Sequence, residues 1–131
     1  MKRVVAIALL VLSGCATDWD ATPALMGTWG GKHIELVVGT LDSAVEFDCA
    51  EGLIVGPYSV DRRGDFSWIG TYTRGTGGPE RIGEVRPSVS AVYSGVLRGP
   101  EMTMRIQLDD GQTLGPFELE RFQEPQLTRC L

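Results

Sequence analysis

Met102-Thr103-Met104-Arg105-Ile106-Gln107-Leu108 alternates apolar and polar side chains without a break, and Asp109-Asp110-Gly111-Gln112 follows at once. A period of two puts Met102, Met104, Ile106 and Leu108 on one face of a strand. The Asp-Gly pair signals a tight hairpin, so Leu114 to Phe122 is the returning strand. Upstream, Val89 to Arg98 reads as a strand with apolar residues on both faces, turned by Gly99-Pro100. Phe66, Trp68, Gly70 and Tyr72 share one face, opposite Ser67, Ile69, Thr71 and Thr73, behind a hairpin loop at Asp61-Arg62-Arg63-Gly64. Leu53 to Val60 forms another strand, with Pro57 marking a bend or an edge. Val45 and Phe47 alternate with Ala44, Glu46 and Asp48 before a Glu51-Gly52 turn, and Ile34, Leu36 and Val38 alternate with His33, Glu35 and Val37. Arg81 to Arg86 is a weak strand. Thr22-Pro23 starts a one-turn helix, with the Thr22 hydroxyl as cap and proline at the first helical position, ending by Gly27.

About eight short strands joined by short turns predict an all-β, antiparallel, up-and-down fold. Closing it into a small barrel removes the exposed edges, and a two-sheet sandwich is the alternative. The rest of the composition agrees. Of 131 residues, 43 % are hydrophobic and 22 % charged, which excludes wholesale disorder and a multi-span membrane protein. Twelve basic residues against seventeen acidic ones give a net charge of −5, which argues against a nucleic-acid partner.

Location is written at the start of the chain. Met1-Lys2-Arg3 is a positive region, and Val4 to Leu12 is an unbroken apolar run. Nine helical residues reach only about 14 Å, short of a hydrocarbon core of roughly 30 Å, so the run is an export signal and not a span. Leu12-Ser13-Gly14-Cys15 resembles the lipobox of bacterial lipoproteins. The resemblance implies cleavage after Gly14 and lipidation of Cys15, giving a signal peptide at 1–14, a lipidated cysteine and tether at 15–24 and one β-barrel domain at 25–131. Two or three acyl chains anchor stably where one does not. Ala16 stands where an aspartate would signal inner-membrane retention, so the resemblance implies an outer-membrane anchor with the domain facing the periplasm. Loss of Lys2 and Arg3 leaves ten basic residues against seventeen acidic ones, a side-chain charge of −7. Such a body is not drawn to anionic head groups, so the lipid does the anchoring. With Cys15 lipidated, Cys49 and Cys130 are an even pair in an oxidising compartment. Their disulfide would stabilise the fold by roughly 4 kcal/mol.

Gly27-Thr28-Trp29, opening the first strand after a one-turn helix, resembles the start of a lipocalin or another calycin-type barrel. The resemblance implies that Trp29 closes one end of the barrel and that Arg121, late in the last strand, packs across its ring. Phe47-Asp48-Cys49-Ala50-x-Gly52, Gly64-x-Phe66-x-x-x-Gly70-x-Tyr72, Gly77-Gly78-Pro79, Tyr93-x-Gly95 and Arg129-Cys130-Leu131 are similar to a set of short uncharacterised bacterial lipoproteins. That likeness implies fold and location and carries no activity.

Chemistry-bearing residues are sparse. His33, the one histidine, reads as a surface strand residue beside Glu35, and a zinc site lacks ligands. Asp61 and Asp65 flank a hairpin glycine without the further oxygens of a calcium loop. Glu46, Asp48 and Glu51 could supply a carboxylate pair, but alternation sends Glu46 and Asp48 to solvent. Arg74-Gly75-Thr76-Gly77-Gly78-Pro79 with Arg81 is a candidate binding loop for an anion or a partner at one mouth of the barrel, and no helix follows to complete a phosphate cradle. The inward set Phe47, Phe66, Trp68, Tyr72, Met102, Met104, Ile106, Phe117 and Leu119 is bulky enough to fill an eight-stranded barrel. The expectation is a non-enzymatic domain without metal or cofactor, with a structural or macromolecule-binding role in the cell envelope. A lipocalin-like binder of a small apolar ligand and a calycin-type protease inhibitor are the alternatives.

Overall fold

The computed structural model describes residues 19–75, 82–83, 85–128 and 130. In chain order they form β1 (Trp19–Asp20), α1 (Thr22–Leu25), β2 (Gly27–Gly31), β3 (Ile34–Val38), β4 (Asp42–Phe47), β5 (Ala50–Val55), β6 (Ser59–Val60), β7 (Asp65–Arg74), β8 (Ser88–Arg98), β9 (Glu101–Leu108) and β10 (Thr113–Arg121). Eight of these close into one antiparallel barrel in the order β10-β2-β3-β4-β5-β7-β8-β9. Sequence neighbours pair throughout, and β10 meets β2 with Leu119 opposite Gly31 and Arg121 opposite Trp29. This is the barrel, not the sandwich.

Alternation fixes the inside. The burial pattern of β7 switches strictly from exposed to buried over Asp65–Tyr72, and that of β9 keeps Met102, Met104, Ile106 and Leu108 inward. The expected inward set is buried except Phe117, which packs on the core half-covered. Trp29, Ile34, Leu36, Ile54 and Tyr93 join it at 1 % exposure or less. Phe66 stacks on Trp68 at 4.0 Å, and Phe47 meets Tyr72 and Phe117 edge-on or tilted at 5.4 and 5.5 Å. Fully burying one such side chain stabilises by roughly 1.5–3 kcal/mol, so these supply a core for a domain of this size.

Several local expectations are corrected. The β4–β5 turn is at Asp48-Cys49, not Glu51-Gly52, which lie inside β5. Gly52 looks like a turn residue, but a Cβ there would come within 2.0 Å of the Tyr93 hydroxyl. The glycine makes room for a tyrosine inside the barrel. Leu53–Val60 is not one strand. Pro57 has no N–H to donate, and the chain leaves the barrel there so that Ser59–Val60 pairs with Trp19–Asp20 in a separate two-stranded sheet. Between Arg81 and Arg86 the described residues form turn and irregular backbone, not a strand. Thr22 is the first helical residue and not the cap. Asp20 accepts its backbone N–H at 2.9 Å and its hydroxyl proton as well. Because β1 pairs and Ala21 is fully buried, the folded body extends into the stretch assigned to the tether.

Candidate functional site

One end of the barrel is sealed by side chains that the β5–β6 excursion and α1 bring together. Tyr58 and Val60 are buried there with Leu25 and Trp29. Tyr58 meets Trp68 edge-on at 5.5 Å and accepts a 2.6 Å hydrogen bond from the buried Ser43 hydroxyl. The Trp68 ring N–H donates to the Ser59 carbonyl at 3.0 Å. Burial pushes the Tyr58 hydroxyl pKa up, only partly opposed by the Ser43 hydrogen bond.

Trp29 and Arg121 sit at this end. The Trp29 ring N–H donates to the Leu25 carbonyl at 2.8 Å, and Arg121 Nη2 donates to the Met26 carbonyl at 3.0 Å. Both therefore satisfy carbonyls that a short helix leaves open at its C-terminus. The guanidinium carbon lies 6.0 Å from the Trp29 ring centroid, at the outer limit of a cation–π contact, and 4.8 Å from Phe122. Phe122, which is 74 % exposed, is the closer ring. The arginine is thus a strut between α1 and β10, shared by two rings.

At the other end the C-terminal segment straps the barrel. Gln126 forms a parallel bridge with Lys32, donating its N–H to the Gly31 carbonyl at 3.0 Å and accepting from His33 N–H at 2.8 Å. The strap covers β2 so closely that a Cβ on Gly30 would fall 2.1 Å from the Gln123 carbonyl oxygen. His33 is not on a strand. It occupies a turn at φ +69°, and its Nδ1 is 2.6 Å from Asp48 Oδ2. The other Asp48 oxygen accepts Thr128 N–H at 2.7 Å. Neither His33 nor Asp48 is simply a solvated surface group. Together they fasten the strap beside the Cys49–Cys130 disulfide, whose Cα atoms are 5.1 Å apart.

Of the candidate binding loop, Arg74, the last residue of β7, donates from Nη2 to Gln112 Oε1 at 2.6 Å, tying the end of β7 to the β9–β10 turn. Gly77, Gly78 and Arg81 lie outside the described residues, as do Thr76, Pro79 and the lipidation candidate Cys15. Asp61 turns its carboxylate onto its own loop, accepting the N–H groups of Arg63 and Asp65 at 2.8 and 2.9 Å. Among the described residues no three His, Cys, Asp or Glu side chains are placed to hold a metal ion.

Three clefts on the described surface lie outside the barrel. One of about 380 Å³ runs beside the strap. Another, of about 460 Å³, lies at the sealed end near Arg62, Arg63 and Arg121. The third, of about 450 Å³, lies on the outer sheet face across β3, β4, β5 and β7. Register gives this face a feature hidden from the sequence. Glu35 is opposite Glu46, and Glu46 is opposite Glu51, so three carboxylates stand abreast on neighbouring strands. Arg86 Nη2 pairs with Glu51 at the end of the row, 3.1 Å away. No family model, curated protein or solved structure matches the chain.

Proposed function

We propose that the chain is a lipoprotein anchored through Cys15 to the outer membrane, with a non-catalytic barrel domain that serves by binding another macromolecule of the envelope. The observation that carries the binding half is the filled interior. Trp29, Tyr93, Met102, Met104 and Ile106 occupy the barrel at 1 % exposure or less, where a small-ligand barrel keeps its cavity. A partner must then be met on the outside, and a closed barrel offers it no free strand edge. The anchoring half rests on Val4 to Leu12 and the Leu12-Ser13-Gly14-Cys15 sequence. Mass spectrometry of the mature N-terminus tests the anchor, where an unmodified secreted chain contradicts it. Co-purification after crosslinking in intact membranes tests the partner. A chain that crosslinks to nothing in its own envelope contradicts the binding role.

A further inference from the structure

The outer sheet face beside the glutamate row is apolar where a barrel exterior is ordinarily polar. Two residues further along the strands, Val37, Ala44 and Leu53 stand abreast by register. Two residues further again come Val55, Ile69 and Val92, with Ile69 directly opposite Val92 and the exposed Asp42 opposite Val55 at the edge of the patch. Ile69 is 76 % exposed and Val55 61 %, and Val37, Leu53 and Val92 are each open to solvent by a third or more. Contiguous exposed apolar side chains with a polar margin mark interaction surfaces. Ala44, small and central, makes the dip of the cleft between Val37 and Leu53.

The margin identifies the occupant. Like charges directly opposite one another across strands destabilise a sheet, and here the arrangement occurs twice in one row, with Arg86 paired to the Glu51 end. Strand spacing puts the three carboxylates within a band of about 10 Å, one side-chain row (roughly 6.6 Å) from the first apolar row. A helix has the same scale, since its i and i+3 or i+4 side chains lie about 5–6 Å apart. A second copy of this chain would bring three more glutamates, and an anionic bilayer more negative charge. Both are disfavoured.

We propose that this face docks an amphipathic helix of a partner protein, with apolar side chains over Val37, Leu53, Val55 and Ile69 and a Lys or Arg edge along Glu35, Glu46 and Glu51. The proposal rests on the envelope-binding reading and assigns it a surface. Recognition is through side chains, because the paired strands offer no edge to an added strand.

The probe is a synthetic 18-residue helix of leucine and lysine, with the lysines along one edge of the apolar face, titrated into the full chain and followed by anisotropy and NMR shifts. Saturable binding is expected, with shifts centred on Val37, Leu53, Val55 and Ile69. Ile69→Asp and Glu46→Lys should each weaken it tenfold or more while the variants stay folded, and a twin peptide with glutamate for lysine should bind at least tenfold more weakly. Equal binding of the twin, insensitivity to both variants, or shifts centred elsewhere overturn the proposal. So does self-association of the free chain that Ile69→Asp abolishes, which would make the occupant a second copy. A benzophenone side chain at position 69, compared in membranes with one at position 105, separates the two readings. An envelope adduct at 105 and none at 69 defeats this surface and leaves the envelope-binding role standing.

Discussion

Removing the Cys49–Cys130 bond is the perturbation whose size the structure sets most directly. The cysteines are 81 residues apart, so the bond closes most of the barrel into one loop. The chain-entropy relation gives roughly 4.5 kcal/mol for a loop of that length, acting by restricting the unfolded chain. Folded-state contacts of the strap survive reduction. The Gln126 bridge to β2 and the Thr128 hydrogen bond to Asp48 do not depend on the sulfurs, so the barrel stays formed. Unfolding entropy of about 2.1 cal/mol/K per residue, over a domain of about 110 residues, converts 4.5 kcal/mol into a fall in Tm of roughly 20 °C. Thermal melts by circular dichroism, with and without reductant, measure it. Cys130→Ala and Cys49→Ala should match reduced wild type and be indifferent to reductant, with native far-ultraviolet spectra below the transition. Equal melting of oxidised and reduced wild type, with the bond verified by mass, would show that closing this loop adds nothing to stability.

Other perturbations probe the interior and the strap. Trp68→Ala removes the stack on Phe66 and the hydrogen bond to Ser59, and should cost about 3–5 kcal/mol in denaturant titrations. Ser43→Ala leaves the buried Tyr58 hydroxyl without its partner and should cost about 1–3 kcal/mol, while adding Tyr58→Phe recovers part of that, a cycle readable by the same titrations. Gly30→Ala drives a methyl into the Gln123 carbonyl, so amide exchange should show the 123–128 strap released while the β7–β9 amides stay protected. All three tyrosines, Tyr58, Tyr72 and Tyr93, have pKa values raised chiefly by burial. Because the folded values lie above the unfolded one, the stability they carry is complete below about pH 10 and declines as pH rises above it. Tyrosinate absorbance of the folded chain should therefore rise at higher pH than that of the chain unfolded in denaturant. A normal titration of even one tyrosine in the folded chain counts against this.

How much of this was legible in the sequence depends on whether the governing contact is local. The 102–108 alternation and the Asp-Gly hairpin are properties of adjacent residues, and β9 and β10 stand where they place them. Gly52 misleads because its reason for being glycine, the Tyr93 hydroxyl, lies 41 positions away in the chain and across the barrel. His33 misleads for a similar cause. Its turn and its Asp48 partner depend on the β2–β3 connection meeting the β4–β5 turn and the strap. The Glu35-Glu46-Glu51 row is invisible in a linear reading, because it exists only once the register of three strands is fixed, and a misplaced β4–β5 turn breaks it. Likeness to calycin barrels points to Trp29 and Arg121, whose side chains lie together at the sealed end, whereas nothing in the sequence points to the closer approach of Arg121 to Phe122.

A barrel filled by its own side chains has no room for an apolar ligand, and titrating the full chain with fatty acids of graded length checks this. Melting temperature is the readout. Ligand that binds only the folded state stabilises it by mass action, so any occupied interior must raise Tm as concentration passes the dissociation constant. With Trp29, Tyr93, Met102, Met104 and Ile106 filling the axis, the predicted result is no shift at any chain length. A saturable rise of several degrees, abolished by enlarging an inward side chain such as Ala91→Phe in a variant that still folds, would mean that the interior is hollow and that the domain carries small apolar molecules.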